Sequence, residues 1–125
     1  MSAFGKSGGG GRRSAIRSAA PLPATFMTVT RTQRTMVTDV SCLGARLKGD
    51  ELPLKDEPLE LIVEEVRAFG TIAWSNESEC GLAFDDPLMA NEVERLRRLA
   101  GIPSLAKLGP EEREALEKWI LSGIR

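Results

Sequence analysis

The sequence predicts a mainly β domain, an antiparallel barrel or sandwich of short strands, with α-helices after it and a flexible arm before it. Two observations carry this prediction. Between residues 24 and 86, six short runs with β-type composition or alternating apolar residues follow at tight spacing, and no long helical pattern separates them. After residue 86 the apolar period changes to the one typical of helices.

The predicted strands are separated by turn-prone residues. The first two runs follow each other closely, which predicts a hairpin that turns near Thr32–Gln33. In the fourth run, Leu59, Leu61 and Val63 fall on one face with Glu60 on the other, as expected for a half-buried strand. In chain order the six runs are ATFMTVTRT, QRTMVTDVS, GARLKG, PLELIVEEV, FGTIAWSNE and CGLAFDD. The large aromatic residues of this region, Phe69, Trp74 and Phe84, are expected in the core or under a covering segment.

Two amphipathic helices are predicted after the strands. In DDPLMANEVERLRRLAG, Asp86 is placed as N-cap, Pro87 at the first helical position and Gly101 after the last turn. GPEEREALEKWILSG repeats this arrangement with Pro110 and an acidic first turn. Its apolar face is formed by Leu116, Trp119 and Ile120.

The composition argues against several classes of function. The chain of 125 residues has no histidine, so the usual zinc ligand sets and the commonest general base are missing. Two cysteines make no disulfide framework and are expected to be reduced thiols. No apolar run approaches the roughly 20 residues of a membrane span, and no secretory signal is present. We therefore expect a cytoplasmic protein that is not an enzyme, carries no cofactor and has no membrane partner.

Positive charge is concentrated at the N-terminal end of the sequence. The formal net charge of the whole chain is −1, yet no acidic residue precedes Asp39, so the rest of the chain is acidic. An anionic partner is therefore expected to approach the N-terminal part. The six basic residues before Asp39 are Lys6, Arg12, Arg13, Arg17, Arg31 and Arg34.

Within this basic part, the motif RRSAIR places Arg13 and Arg17 four residues apart. Flanking glycines and prolines disfavour a stable helix, and on an extended chain the two residues stand about 13 Å apart. An arginine side chain donates two parallel bonds to a phosphate or to the O6/N7 edge of guanine. Two interpretations of the motif alone stay open, an anion-binding arm and a solvated basic tail.

A second motif, TDVSCLGARL, lies at the end of a predicted strand. It contains Asp39, Ser41 and Gly44 in the pattern D-x-S-x-x-G. A carboxylate at this position can accept hydrogen bonds from the N1–H and N2–H₂ groups of a guanine, and Gly44 allows a sharp turn and a close approach by a ligand. The alternative is an ordinary side-chain-capped turn that closes a hairpin.

Taken together, the two motifs resemble the PilZ domain family. R-x-x-x-R followed by D-x-S-x-x-G about twenty residues later is the specific part of this resemblance. It continues through GARL, LELIVEE and GTIAWSNESECGLAF, and it covers roughly residues 12–86.

The resemblance implies a six-stranded antiparallel β-barrel with a C-terminal helix that binds the bacterial second messenger cyclic di-GMP. Arg13 and Arg17 match the pair that holds phosphates and guanine edges, and Arg12 matches a frequent additional basic residue. The D-x-S-x-x-G residues match a set that faces a guanine. The predicted ligand-binding residues are therefore Arg12, Arg13, Arg17, Asp39, Ser41 and Gly44.

The expected domain organisation has three parts. Residues 1–11 are predicted to be a disordered tail. Residues 12–86 are predicted to form the barrel domain together with its arginine arm, residues 12–23. Residues 87–125 are predicted to be a helical segment packed on the barrel. The departure from the family pattern is the second helix, which packs on the barrel or waits for a partner.

The leading functional hypothesis is a receptor in which the dinucleotide orders the free arm against the barrel and signals to a downstream protein partner. A second hypothesis is a protein-interaction module of the same fold that binds no nucleotide. A third, a weak nucleic-acid binder that uses the basic arm, is disfavoured by the acidic remainder and by an aromatic content of only 5%.

Overall fold

Six antiparallel strands close into a barrel in the computed structural model, which describes residues 20–123. Around the barrel the strand order is β1-β2-β3-β6-β5-β4. The strands are β1 (Leu22–Met27), β2 (Thr32–Val40), β3 (Gly44–Lys48), β4 (Pro58–Val63), β5 (Val66–Ser75) and β6 (Glu79–Phe84); the helices are α1 (Ala90–Leu99) and α2 (Pro110–Ser122), with a 3₁₀ turn at Leu105–Lys107 between them. The predicted barrel followed by helices is confirmed.

The core consists mainly of inward-facing residues of all six strands, together with Leu52, Leu96 and Ala100. Leu59, Leu61 and Val63 are buried and Glu60 is half-buried, so the alternation read from β4 is confirmed. Burial of these apolar side chains is the main stabilisation of the fold. The largest fully buried side chains of the strands include Phe26, Leu47, Leu61, Ile72 and Leu82.

The first hairpin turns earlier than predicted. The turn lies at Thr28–Arg31, where the Thr28 amide donates to the Arg31 carbonyl at 2.8 Å, and Thr32 and Gln33 already belong to β2. The Thr28 hydroxyl accepts from the amides of Thr30 and Arg31 at 3.2 Å each. The prediction of a turn near Thr32–Gln33 was wrong because it assigned Thr28 to the first strand. In the structure the Thr28 side chain caps the turn instead.

Helix α1 begins later than predicted. Its N-cap is Met89, so Asp86 is not the N-cap and Pro87 is not the first helical residue. The linker before it is bonded to the β2–β3 turn, where the Leu88 amide donates to the Cys42 carbonyl at 2.9 Å. At the other end, Gly101 follows the helix with a φ of 72°, as predicted.

Helix α2 matches its predicted start and packs on the outside of the barrel. Pro110 is its first residue, and Glu112 accepts from the Gly109 amide at 2.8 Å. Gly123 ends it in the left-handed conformation, with a φ of 74°. The helix lies against β3, β5 and β6, where Ile120 is fully buried, whereas α1 lies against β2. None of the described helices is long and apolar enough to cross a membrane.

One aromatic residue departs from the expected burial. Phe69 is 62% exposed, although its neighbour Ala68 is buried. It faces outwards because alternate residues of β5 point to opposite sides of the barrel wall. Phe84 packs against the core as expected, and Trp74 is half-buried beneath α2.

Candidate ligand-binding site

The turn between β2 and β3 brings Ser41 and Gly44 together, directly after Asp39 and Val40 at the end of β2. The Ser41 amide donates to the Gly44 carbonyl at 2.9 Å. The Ser41 hydroxyl in turn accepts from the amides of Leu43 and Gly44 at 3.2 and 3.3 Å. Backbone and side-chain bonds therefore both close this turn, so the motif residues occupy fixed positions at one end of the barrel.

The carboxylate of Asp39 is held by an arginine of α1. Its Oδ1 atom accepts from the Val40 amide at 2.8 Å and from Nη1 of Arg97 at 2.7 Å. Arg97 is only 3% exposed and also donates to the carbonyls of Val40 and Pro103, at 2.7 and 2.6 Å. One buried guanidinium thus joins α1, the loop after it and the end of β2.

Burial and charge act on Asp39 in opposite directions. Burial raises the pKa of the Asp39 carboxyl above its ordinary value of 3.8, and the Arg97 guanidinium and the Val40 amide oppose that rise. Removing Arg97 would therefore leave the effect of burial largely uncompensated.

Sequence reasoning did not predict Arg97 as part of this site. The available signal was its position, since Arg97 follows Val93 by four residues and adjoins Leu96 on the buried face of α1. A charged residue on an apolar stripe indicates a buried partner. The sequence does not say which carboxylate that partner is.

Ser41 is held by α2. Its hydroxyl donates to Oε1 of Glu117 at 2.6 Å, and Ser41 is 1% exposed. The predicted ligand contact of this hydroxyl is therefore occupied by the chain's own carboxylate. Glu117 was not predicted as part of the site, because nothing in its sequence surroundings separates it from the exposed acids of the same helix.

Gly44 is required by close packing. A Cβ atom at this position would lie inside contact distance of the Leu82 carbonyl oxygen and 2.7 Å from Cδ2 of Leu121. Gly44 was predicted to permit a close approach by a ligand. In this structure, the atoms that approach it belong to β6 and α2.

Next to this turn, α2 packs on Arg46, whose guanidinium lies between two tryptophan rings. The Arg46 guanidinium lies 4.7 Å from the ring centroid of Trp74 and 4.3 Å from that of Trp119, which is cation–π geometry. It also forms an ion pair with Glu79 at 2.9 Å and donates to the Trp119 carbonyl at 2.8 Å. Trp74 donates to the Ile120 carbonyl at 2.7 Å, so both tryptophans hold the C-terminal half of α2.

The predicted arginines Arg12, Arg13 and Arg17 lie outside the described residues. The described chain starts at Ala20, whose amide donates to the Ala100 carbonyl at the end of α1 at 2.9 Å. The position at which the arm joins the barrel is therefore known.

The strand register places that junction beside the D-x-S-x-x-G turn. Leu22 pairs with Val37 in the antiparallel pair of β1 and β2. Val37 lies two residues before Asp39, so β1 begins near the end of β2 that leads into the turn. The arginine arm therefore joins the barrel at the same end as the D-x-S-x-x-G turn.

The described part of the chain contains two free thiols. Cys42 and Cys80 are free, and burial raises the pKa of the Cys80 thiol to about 12. Among residues 20–123, no group of three or more Cys, Asp or Glu side chains is arranged to hold a metal ion.

The chain belongs to the PilZ domain family. The family model of the PilZ domain matches residues 11–101, which is more than half of the chain and includes both motifs. PilZ domains are receptor domains for cyclic di-GMP, and they bind a ligand and do not catalyse a reaction. No curated protein and no solved structure gives a significant match.

Proposed function

We propose that this protein is a cytoplasmic, non-enzymatic receptor for cyclic di-GMP that uses the D-x-S-x-x-G turn and the N-terminal arginines as its binding site. The observation that carries the proposal is the place at which the arm joins the barrel. Ala20 is hydrogen-bonded to the end of α1, and Leu22 at the start of β1 pairs with Val37, near the end of β2 that carries Asp39.

The turn offers acceptors of the type that a guanine requires. Both hydrogen bonds of the Asp39 carboxylate described above are made by Oδ1. A carboxylate has about four acceptor positions, so Oδ2 has the capacity to accept from N1–H and N2–H₂ of a guanine. Arg97 fixes the carboxylate while it does so.

The arm is long enough to bring both arginines to the same ligand. Arg17 is three residues before Ala20, so it reaches up to about 10 Å from that anchor, and Arg13 reaches up to about 23 Å. Each guanidinium can make two parallel bonds to a phosphate or a guanine edge. The proposed response is ordering of the arm on the barrel, which passes the signal to a protein partner.

A second candidate function is a protein-interaction module that binds no nucleotide. An exposed apolar cluster at the β1–β2 turn and on β5 favours it. Val29 is 96% exposed, Phe69 62% and Met27 39%, and such a cluster is typical of contact surfaces.

Calorimetric titration of the full chain with cyclic di-GMP, with GMP as the control ligand, tests the proposal. We expect binding to the wild type and a loss of about tenfold or more in affinity for Arg13→Ala and for Arg17→Ala, because each removes a charge-assisted bond. Arg34→Ala removes an exposed arginine of β2 and serves as the matched control. Unchanged affinity in both arm variants would contradict the site, and no heat with the wild type would favour the second function.

A further inference from the structure

Helix α2 covers the two motif positions that lie nearest to it. Ser41 is 1% exposed and its hydroxyl is bonded to Glu117. Leu121 of the same helix lies against Gly44. A ligand the size of a cyclic dinucleotide therefore cannot contact the Ser41 hydroxyl while α2 is in this position.

The polar contacts of α2 with the barrel lie in its C-terminal half, whereas in its N-terminal half Arg113 donates to the Leu105 carbonyl of the 3₁₀ turn at 3.1 and 2.7 Å. Ile120 is the one fully buried residue that the structure describes in this helix, and residues 111–115 are exposed. The polar contacts that hold α2 on the barrel are those of Ser41 with Glu117, Arg46 with Trp119, and Trp74 with Ile120. No described residue of α2 belongs to the hydrophobic core cluster, so the helix can leave the barrel without exposing the barrel interior.

We propose that α2 is a competing cover, which leaves the β3–β5–β6 face when cyclic di-GMP binds and returns when the ligand dissociates. This inference rests on the proposed function. The Ser41 hydroxyl carries a single proton, so it cannot donate to Glu117 and to a ligand at once. The Glu117 carboxylate also repels the phosphates of the dinucleotide, so the covered and bound states exclude each other.

Competition of this kind makes a counter-intuitive prediction about affinity. The apparent affinity equals the intrinsic affinity multiplied by the fraction of molecules in which α2 is away from the site. Weakening the contacts that hold α2 on the barrel increases that fraction. A substitution that loosens α2 should therefore tighten ligand binding.

The first test compares three single substitutions on α2. Glu117→Ala removes the bond to Ser41 and should bind cyclic di-GMP about tenfold more tightly than the wild type, as expected for loss of one charge-assisted bond from the covered state. Glu117→Gln keeps an oxygen that accepts from Ser41 and should show a smaller gain. Glu114→Ala removes the same charge from an exposed position of the same helix and should match the wild type.

The second test uses the wild-type protein and so does not depend on a variant. Hydrogen–deuterium exchange is measured with and without saturating cyclic di-GMP. We expect the amides of residues 117–123 to exchange faster in the bound state, while those of the barrel strands do not.

The outcomes separate this inference from the function on which it rests. Binding of equal strength by the wild type and Glu117→Ala, with unchanged or slower exchange in α2, would contradict the displacement of α2. It would not contradict the proposed receptor function. A gain in affinity of the same size in Glu114→Ala would contradict the displacement of α2 as well, because the effect is then one of net charge. Absence of binding to all four proteins overturns the receptor proposal itself.

Discussion

The two C-terminal helices each hold one residue of the same motif, but they hold it in different ways. α1 reaches Asp39 through Arg97, which is buried, and the helix also buries Val93 and Leu96 completely. α2 reaches Ser41 through Glu117, which is half-buried. Leu96 of α1 also belongs to the hydrophobic core and no described residue of α2 does, which supports the proposal that α2 is the separable element.

The largest effect on stability is expected from breaking the ion pair between Arg97 of α1 and Asp39. Arg97→Met leaves Asp39 buried without its counter-charge, and loss of one partner of a buried pair costs about 3–5 kcal/mol of unfolding free energy. Arg98→Met, at the exposed neighbouring position, is the matched control and should change stability by about 0.5 kcal/mol or less. Urea unfolding measures both, and equal stability of the two variants would contradict the role of Arg97.

The same variant makes a prediction about pH. Without Arg97 the folded-state pKa of Asp39 rises further above its ordinary value of 3.8, because burial is then less opposed. A raised carboxyl pKa contributes stability that is present below 3.8 and is lost as the pH rises through the folded-state value. The stability deficit of Arg97→Met should therefore be smallest in acid and largest at neutral pH, and a deficit that does not change with pH would count against this explanation.

A smaller loss is expected from a substitution under α2. In Gly81→Ala the new Cβ lies inside contact distance of the Ile120 carbonyl and of the Trp74 ring, so α2 has to shift. Such overpacking costs about 1–3 kcal/mol. In Gly49→Ala the nearest atom is 3.4 Å from the new Cβ, which makes it the matched control.

The decisive measurement on Gly81→Ala is which part of the protein loses protection from amide exchange. Amide exchange should become faster in α2 while the barrel strands keep their protection. Equal loss of protection throughout the barrel would mean that α2 is not separable.

The hydrogen bond between Ser41 and Glu117 is expected to have a smaller effect on stability than the Gly81→Ala substitution. A double-mutant cycle of Ser41→Ala and Glu117→Ala should give a coupling free energy of about 1–2 kcal/mol, the range of a hydrogen bond with one charged partner. Thermal unfolding of the four proteins provides the values. Additive effects of the two substitutions would show that this bond does not hold the helix.

The smallest effect is expected at the exposed ion pair that joins α1 to the β4–β5 turn. Arg95 and Glu65 lie 2.9 Å apart, but both side chains are exposed to water. Arg95→Ala should therefore cost less than about 1 kcal/mol and leave ligand affinity unchanged. A loss as large as that of Arg97→Met would contradict the distinction between buried and exposed pairs on α1.

The sequence predicted what depends on local pattern and missed what depends on distant side chains. The alternation of Leu59, Leu61 and Val63 predicted a buried face because a strand's period is two. The bonds from Arg97 to Asp39 and from Ser41 to Glu117 span 58 and 76 residues. Nothing local specifies which charge meets which partner over such separations, so those contacts had to come from the structure.

Part of the candidate site was predictable for a different reason. The spacing of Ser41 and Gly44 follows from a turn whose bonds are made within four residues. The amphipathic face of Trp119 and Ile120 favoured packing of α2 on the barrel, but it does not specify which part of the barrel is covered, so the covering of that turn was not predictable. The arginine arm lies outside the described residues, so its role stays a prediction.

A titration of the isotope-labelled full chain with cyclic di-GMP, followed by backbone amide NMR, locates the ligand and follows α2 in one experiment. We expect the largest shifts on residues 39–44 and on residues 117–123, where the ligand replaces α2. We also expect no change around Val29 and Phe69. Saturable shifts confined to that exposed apolar cluster, or an absence of shifts in α2 at saturation, would contradict the proposed displacement of α2.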